Sequence, residues 1–240
     1  MLRHNAATAQ TYFETPGGGY SIGGGKSPNR TTRRLFPQVS PDLSVRYCSS
    51  SLKIDVASIA INNQDRFQNS RTLVISGERA QESSARAKYK VFEVDRTDAR
   101  NGKLKRHVDR YRAVHSYSEA EIWNIIARWR VNTHPGYRLG WGRLSCVCCI
   151  FGSPSQWKSA ETILPDQVQQ IAAYEKEFGK TIDRKMDVLT KASLGKAYAP
   201  CSNAALVAEA RDENWNGRII LEDGEWQLPT GAFGESNGPT

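Results

Sequence analysis

The 240-residue chain is predicted to adopt an α/β fold, because strand-like and helix-like segments alternate along its sequence. "RTLVISG" at 71–77 has the apolar centre of a buried strand and ends on a glycine. Apolar residues recur at helical spacing in "SEAEIWNIIARWR" at 118–130 and again over 165–178. Hydrophobic residues make up 39% of the chain and charged residues 24%, which is typical of a globular protein with its own core.

The first half of the chain contains most of the predicted loops. Residues 1–40 are rich in Gly, Thr and Arg and are predicted as a loop or hairpin segment of the domain. "SSSLKIDVASIAI" at 49–61 predicts a serine-capped helix before the strand. A turn or helix N-terminus is expected at "ERAQESSAR" (78–86). The basic span 86–112 is predicted as a surface loop with one short strand over 90–94.

Two helices carry clear boundary signals. Ser118 is predicted to cap the first, with Glu121 completing a capping box. Its apolar face is predicted to consist of Ile122, Ile125, Ile126 and Trp129. The second helix covers 165–178, with a proline in its first turn and Gly179 just beyond its end.

The domain organisation follows from these patterns. Residues 41–200 are predicted to form one α/β domain, and residues 201–240 a polar, partly disordered C-terminal tail. No apolar stretch is long enough for a membrane helix and the N-terminus does not resemble a signal peptide, so a cytoplasmic protein is expected. The net charge of +8 favours an anionic partner such as a nucleotide, a sulfate-like ligand or nucleic acid.

A glycine-rich stretch, "GGGYSIGGGKSPNR" (17–30), invites comparison with a phosphate-binding loop. The Walker pattern requires a glycine five positions before Gly25, and that position is Tyr20. No apolar strand precedes the stretch and no amphipathic helix follows it. It is therefore predicted as a flexible hairpin or surface loop.

The segment that follows the predicted strand is the first candidate site. Gly77 lets the backbone turn at the end of the strand, and Ser83 and Ser84 can donate to an anion at a helix start. Arg79 and Arg86 can supply forked hydrogen bonds to phosphate or sulfate. The alternative is a set of surface ion pairs among Glu78, Arg79, Glu82 and Arg86.

The cysteines are the second candidate. Cys146 and Cys149 have the Cys-x-x-Cys spacing that lets two thiolates reach one metal ion or form a disulfide. Cys48 is the third plausible thiolate of a zinc or iron–sulfur site, whose fourth ligand the sequence leaves open. The equally weighted alternative is that these cysteines are small buried hydrophobic residues.

The basic span 86–112 is the third candidate. It contains ten Lys and Arg against four Asp and Glu, interleaved with Tyr89, Phe92 and Tyr111. Such a pattern can bind single-stranded nucleic acid, so a non-catalytic nucleic-acid-binding or metal-binding module is the alternative function. A lid over a small anion or a solvated face explains the same charges.

Several linked segments resemble, in order, the phosphoadenosine phosphosulfate reductase-like family of PP-loop ATP pyrophosphatases. They are "FPQVSPDLSVRYCSSSLKIDV", "TLVISGERAQESSARAKYKVFEVDR", "HVDRYRAVHSYSEAEIW" and "HPGYRLGWGRLSCVCCIFGS". The resemblance covers about residues 1–198. It implies a Rossmann-like, adenine nucleotide alpha hydrolase-type parallel sheet with flanking helices. It also implies ATP or phosphoadenosine phosphosulfate as ligand, and adenylyl-transfer or sulfur-transfer chemistry.

The chain departs from the family pattern at two places. "GGGKSP" has Lys26 and Ser27 but lacks the Asp of the family's Ser-Gly-Gly-Lys-Asp-Ser loop, and nothing after Cys149 matches the Glu-Cys-Gly-Leu-His motif of the reductases. The domain is therefore expected to be N-terminally incomplete and inactive alone, with an exposed sheet edge and apolar surface. A second chain supplying the PP-loop half, or a homo-oligomer, is the expected partner.

The resemblance assigns candidate residues position by position. The nucleotide or sulfonucleotide pocket would be lined by Gly77, Glu78, Arg79, Glu82, Ser83 and Arg86. Beside it would lie Arg46, Cys48 and Lys53. The opposite wall or the edge of a metal cluster would be formed by His107, Asp109, His134, Tyr137, Arg138, Arg143, Cys146 and Cys149.

Overall fold

A computed structural model describes residues 35–235 and, by their backbone, residues 2–5, 10–15 and 18–21. The chain folds into two compact units. Unit 1 comprises Met1–Leu35, Asp42–Gly77 and Lys90–Ala113. Unit 2 comprises Phe36–Pro41, Glu78–Tyr89 and Val114–Thr240.

Unit 1 contains two three-stranded sheets. Strands β1 (Leu2–Asn5), β2 (Gln10–Thr15) and β3 (Gly18–Ser21) pair antiparallel in that order. Strands β4 (Arg71–Ile75), β5 (Phe92–Val94) and β6 (His107–Tyr111) form the second sheet in the order β4–β6–β5. β4 is parallel to β6 and β5 is antiparallel to it, so the protein is a mixed α/β protein with a partly parallel sheet. Most of the glycine-rich stretch, including Lys26, lies outside the described residues.

A continuous helical segment precedes β4. It consists of α1 (Tyr47–Ser49), a π-helical segment (Ser50–Ile54) and α2 (Asp55–Asn63). The helix is confirmed but its serine cap is wrong, because the segment begins earlier, at Tyr47, and the residue before it, Arg46, makes no side-chain cap. A short 3₁₀ turn (Asp65–Phe67) leads into the strand.

The strand at 71–75 is confirmed, but the prediction that it is buried is wrong. β4 has β6 as its neighbour on one side and is an edge strand of the described sheet. Its side chains alternate in exposure, and Leu73 and Ile75 are both exposed. One face of this sheet therefore presents apolar side chains to solvent.

The prediction that 86–112 is a surface loop with a single strand is also wrong, because this span supplies β6 as well as β5. Val108 in β6 is fully buried. The buried Arg106 donates to Asn62 Oδ1 at 2.7 Å, and Arg110 forms an ion pair with Asp95 at 2.6 Å. Much of the basic charge in this span thus binds side chains of unit 1 itself.

Unit 2 is helical in the part of the chain that the structure describes. Its helices are α3 (Ser84–Ala87), α4 (Glu119–Arg128), α5 (Pro135–Arg138), α6 (Pro154–Ile163), α7 (Pro165–Phe178), α8 (Val188–Ser193) and α9 (Ala204–Arg211). Two 3₁₀ turns, Ala80–Glu82 and Ala199–Ser202, complete its regular structure.

The predicted signals of α4 and α7 are confirmed, with one correction. Ser118 and Glu121 form the capping box of α4. Trp129 does not belong to a buried face: it caps the end of α4 and is 62% exposed, whereas Trp123 is the buried residue of the helix. α7 has the predicted bounds, and Gly179 ends it with a φ of +61°, which favours glycine.

The core of unit 2 is built from Leu139, Trp141, Ile163 and Cys201. α9 packs onto it, and the segment beyond α9 runs back along the residues that connect α4 to α5. Leu221 N donates to Arg130 O at 2.9 Å, and Gly231 N donates to Tyr137 O at 2.8 Å. The polar C-terminal segment therefore has defined structure as far as residue 235. In the described residues, no helix combines the length and apolar character needed to cross a membrane.

Candidate functional site

The segment from Glu78 to Ala87 brings two arginines onto one carboxylate. Glu82 forms an ion pair with Arg86, and its Oε1 lies 3.8 Å from Arg79 Nε. Glu82 Oε2 also accepts from the Arg79 backbone N–H at 3.3 Å. Ser83 caps α3, accepting from Arg86 N at 3.2 Å, which confirms the predicted helix N-terminus. From the sequence, surface ion pairs in this segment are the predicted alternative to an anion site. Ion pairs of Glu82 with Arg79 and Arg86 are present, and they hold both guanidinium groups at one carboxylate.

Buried contacts fix this segment against the residues before α4. The backbone N–H of Ala80 donates to His115 O at 2.8 Å, and His115 Nε2 lies 2.8 Å from Arg86 O. Gln81 Oε1 accepts from the Glu119 backbone N–H at 2.8 Å. Sequence reasoning missed His115, which is buried and contacts the backbone of the segment at Ala80 and Arg86.

Tyr137, in α5, packs against α4. Its ring meets the buried Trp123 edge-on, with ring centroids 5.1 Å apart, and Trp123 Nε1 donates to Glu119 Oε1 at 3.4 Å. Burial raises the pKa of the Tyr137 phenol above its ordinary value, and the charge of Glu119 raises it further. Arg143 and Arg79 act in the opposite direction on the same pKa, so both guanidinium groups lie close enough to interact with the phenol.

We refer to Arg79, Glu82, Arg86, Tyr137 and Arg143 as the Arg79 cluster. Arg79 belongs to both halves of it, through Glu82 on one side and Tyr137 on the other. Its side chain is only 15% exposed, so its charge is partly withdrawn from solvent. Arg79 and Arg86 contact the Glu82 carboxylate, and the Tyr137 phenol lies within the influence of Arg79, Arg143 and the Glu119 carboxylate. The guanidinium groups and the phenol of the cluster are hydrogen-bond donors of the kind that bind an anion.

Two residues predicted on the opposite wall have other partners. Arg138 follows Tyr137 in α5 but forms an ion pair with Glu209 of α9. It lines a separate cleft of about 440 Å³ between α5, α9 and the C-terminal segment that contains Trp226. His134 caps α5 by accepting from Gly136 N at 3.0 Å through Nδ1. In the structure, Arg138 thus binds α9 and His134 caps a helix.

Five predicted site residues besides Cys48 lie in unit 1. Lys53 is exposed on the π-helical segment, and Arg46 directly precedes the first helix. In β6, His107 begins the strand and Asp109 forms an ion pair with Arg100. Gly77 follows β4, has no positive φ and has open space around it, so neither the backbone nor its surroundings require glycine there.

The proposed metal ligands are divided between the two units. Cys48 lies in unit 1, whereas Cys146 and Cys149 lie in unit 2. Within residues 35–235, no three His, Cys, Asp or Glu side chains are grouped so that they could hold a metal ion. Burial raises the pKa of the adjacent Cys148 to about 11. The residues described do not fit a zinc or iron–sulfur site.

The partly parallel sheet, the capped turn that follows β4 and the arginine-rich cluster define a mixed α/β protein with a candidate anion site. Residues 25–151, more than half of the chain, match the model of the phosphoadenosine phosphosulfate reductase domain. The chain belongs to this family, which confirms the resemblance and implies an adenine nucleotide alpha hydrolase fold. The match includes the whole of the Arg79 cluster.

Similarity to individual proteins is more distant. An uncharacterized 37.8 kDa protein from the gpa 5' region of Escherichia phage 186 is 27% identical over 136 residues. The aligned region covers 57% of this chain and 39% of the phage protein, so the chain spans less than half of that relative. No solved structure matches the chain significantly.

Proposed function

We propose that this chain binds an adenine nucleotide or sulfonucleotide, such as ATP or phosphoadenosine phosphosulfate, and that the Arg79 cluster holds its phosphate or sulfate group. The observation that carries the proposal is that the Glu82 carboxylate holds the guanidinium groups of both Arg79 and Arg86 in the segment after β4. The charges of Arg79 and Arg143 also lower the pKa of the Tyr137 phenol, against the larger effect of burial. Planar guanidinium groups bind phosphate and sulfate oxygens in pairs, and the phenol supplies one further donor. Family membership supports an adenine nucleotide as the rest of the ligand.

We propose that the site is of the kind used for adenylyl transfer or sulfur transfer. In either reaction the residues of the Arg79 cluster would bind and orient the anionic group, and the half-buried Tyr137 would limit the access of water to it. This sequence contains no Ser-Gly-Gly-Lys-Asp-Ser loop. We therefore propose that the 240-residue chain binds the ligand without turning it over.

Calorimetric titration with phosphoadenosine phosphosulfate, ATP and adenosine tests the proposal. Replacing the guanidinium fork in Arg79→Lys leaves a point charge, and the loss of one charge-assisted hydrogen bond, about 1.5–3 kcal/mol, weakens binding by roughly 10- to 100-fold. Tyr137→Phe keeps the ring on Trp123 and removes only the hydroxyl, so a loss of about 3- to 10-fold is expected.

Arg218→Lys is the matched control, because Arg218 also forms ion pairs in unit 2 but with Glu222 and Glu225 of the C-terminal segment. It should leave the affinity unchanged. The proposal is wrong if Arg79→Lys and Tyr137→Phe bind both nucleotides as the wild type does. Equal affinity for adenosine and the two nucleotides would show that the cluster does not bind the anionic group.

A further inference from the structure

One face of the β4–β6–β5 sheet in unit 1 is apolar and exposed. Leu73 and Ile75 on β4, Phe92 and Val94 on β5, and Tyr111 on β6 have exposed fractions between 37% and 66%. The register places Ile75, Tyr111 and Phe92 in one row across the three strands. Alternate residues of a strand point to the same face, so these side chains share one face, with Leu73 and Val94 on either side of the central Asp109.

The other face of the sheet is different. Val108, whose side chain points away from the apolar patch, is fully buried. The polar side chains on that face are held by internal ion pairs, including Arg110 with Asp95 and Arg112 with Glu93. The sheet is therefore packed on one face and carries solvent-exposed hydrophobic residues on the other.

Charge indicates what kind of partner fits the apolar face. Residues 42–77 and 90–113 of unit 1 contain twelve Lys and Arg against seven Asp and Glu, a net charge of +5. On the face itself, Arg71 and His107 lie opposite each other in the register at one end, and the central Asp109 is bound to Arg100. A second copy of the chain would bring the same positive charge against this one, which opposes pairing of two such faces.

We propose that this face binds a partner polypeptide through an amphipathic helix with an apolar stripe and acidic residues at the end that lies over Arg71 and His107. The apolar stripe would cover Leu73, Ile75 and Phe92, since a helix packed on a sheet buries one face of each. The acidic end would meet the guanidinium group of Arg71. This proposal does not use the residues of the nucleotide-binding proposal, since its own lie in unit 1 and those of the Arg79 cluster lie in unit 2.

Selection from a displayed library of helical peptides tests the proposal, because such a library presents many apolar and charged patterns to the face at once. The wild-type chain is the bait, and the double variant Ile75→Asp/Phe92→Asp is used to remove peptides that bind elsewhere. Leu194→Asp/Ile219→Asp is the matched control, because these residues are 65% and 68% exposed in unit 2. Thermal unfolding checks that each variant is folded, and Ile75→Ser/Phe92→Ser replaces the first double variant if it is not.

The expected result is enrichment of peptides with apolar residues at helical spacing and Asp or Glu at one end. Their affinity should fall at least tenfold for the Ile75/Phe92 variant and remain unchanged for the control. The absence of enrichment that depends on the face, or enrichment of peptides with basic ends, would overturn the proposal. It would also be overturned if sedimentation showed a wild-type dimer that the variant dissolves, or if the face bound vesicles of anionic lipid instead of peptides.

Discussion

Glu82 is predicted to compete with the bound anion for Arg79 and Arg86, so that removing its charge strengthens binding. A phosphate or sulfate that bridges the two guanidinium groups would lie roughly 5 Å from the Glu82 carboxylate, since Glu82 contacts both. At the high effective dielectric of a partly exposed site, two negative charges at that distance repel by about 1 kcal/mol. Glu82→Gln removes this repulsion and keeps an oxygen that can accept from Arg79 N. The affinity for phosphoadenosine phosphosulfate should therefore rise about fivefold.

Calorimetric titration at low and high salt measures the effect. The gain should shrink at about 0.5 M salt, because screening weakens interactions between exposed charges. Glu222→Gln, which neutralises a carboxylate paired with Arg218, should leave the affinity unchanged. Glu82→Ala removes both the charge and the acceptor and should bind more weakly than Glu82→Gln. Unchanged or weaker binding by Glu82→Gln would refute the view that Glu82 and the ligand share the same arginines.

Three further predictions concern reactivity and stability. Burial raises the pKa of Cys148 to about 11, so only about a thousandth of the Cys148 thiol is ionised at pH 8. Cys148 should therefore be alkylated far more slowly than the exposed Cys146. Mass spectrometry measures the two rates, and equal rates would contradict this prediction. The hydrogen bond from Lys191 lowers the pKa of Asp183, so Asp183→Asn should reduce the free energy of unfolding at pH 7. The difference from the wild type should fade as the pH falls below about 4, where the wild-type carboxylate becomes protonated. A difference that persists at pH 2 would contradict this prediction. Glu175→Ala leaves the buried backbone N–H groups of Ile182 and Val188 without their acceptor. The free energy of unfolding, measured by urea denaturation, should fall by about 2–5 kcal/mol. A decrease below about 0.5 kcal/mol would contradict the importance of these hydrogen bonds.

The elements that sequence reasoning found are those whose signals are local. The bounds of α7 follow from a proline and from Gly179, and the start of α4 follows from the capping box of Ser118 and Glu121. The helix start at Ser83 is a signal of the same kind. Each depends on residues within one turn of one another, so a single sequence contains all the information required.

The errors arise where distant partners decide the structure. Sequence reasoning did not find β6 among the basic residues, because neighbouring arginines have distant partners: Arg106, just before the strand, donates to Asn62, 44 positions away. Arg138 lies beside Tyr137 in sequence, yet its partner is Glu209, 71 positions away. His115 carries no local signal, and only the fold shows that it contacts the Arg86 carbonyl.

Hydrogen exchange with and without phosphoadenosine phosphosulfate tests most directly whether the Arg79 cluster is the ligand site. If it is, the ligand should slow the exchange of backbone amides in 79–89 and around Tyr137, and Arg79→Lys should reduce this protection at a fixed ligand concentration. Amides of the C-terminal segment 218–227, which lines the separate cleft with Arg138, should be unaffected. Protection confined to that segment, or no protection of 79–89 at a saturating ligand concentration, would contradict the account.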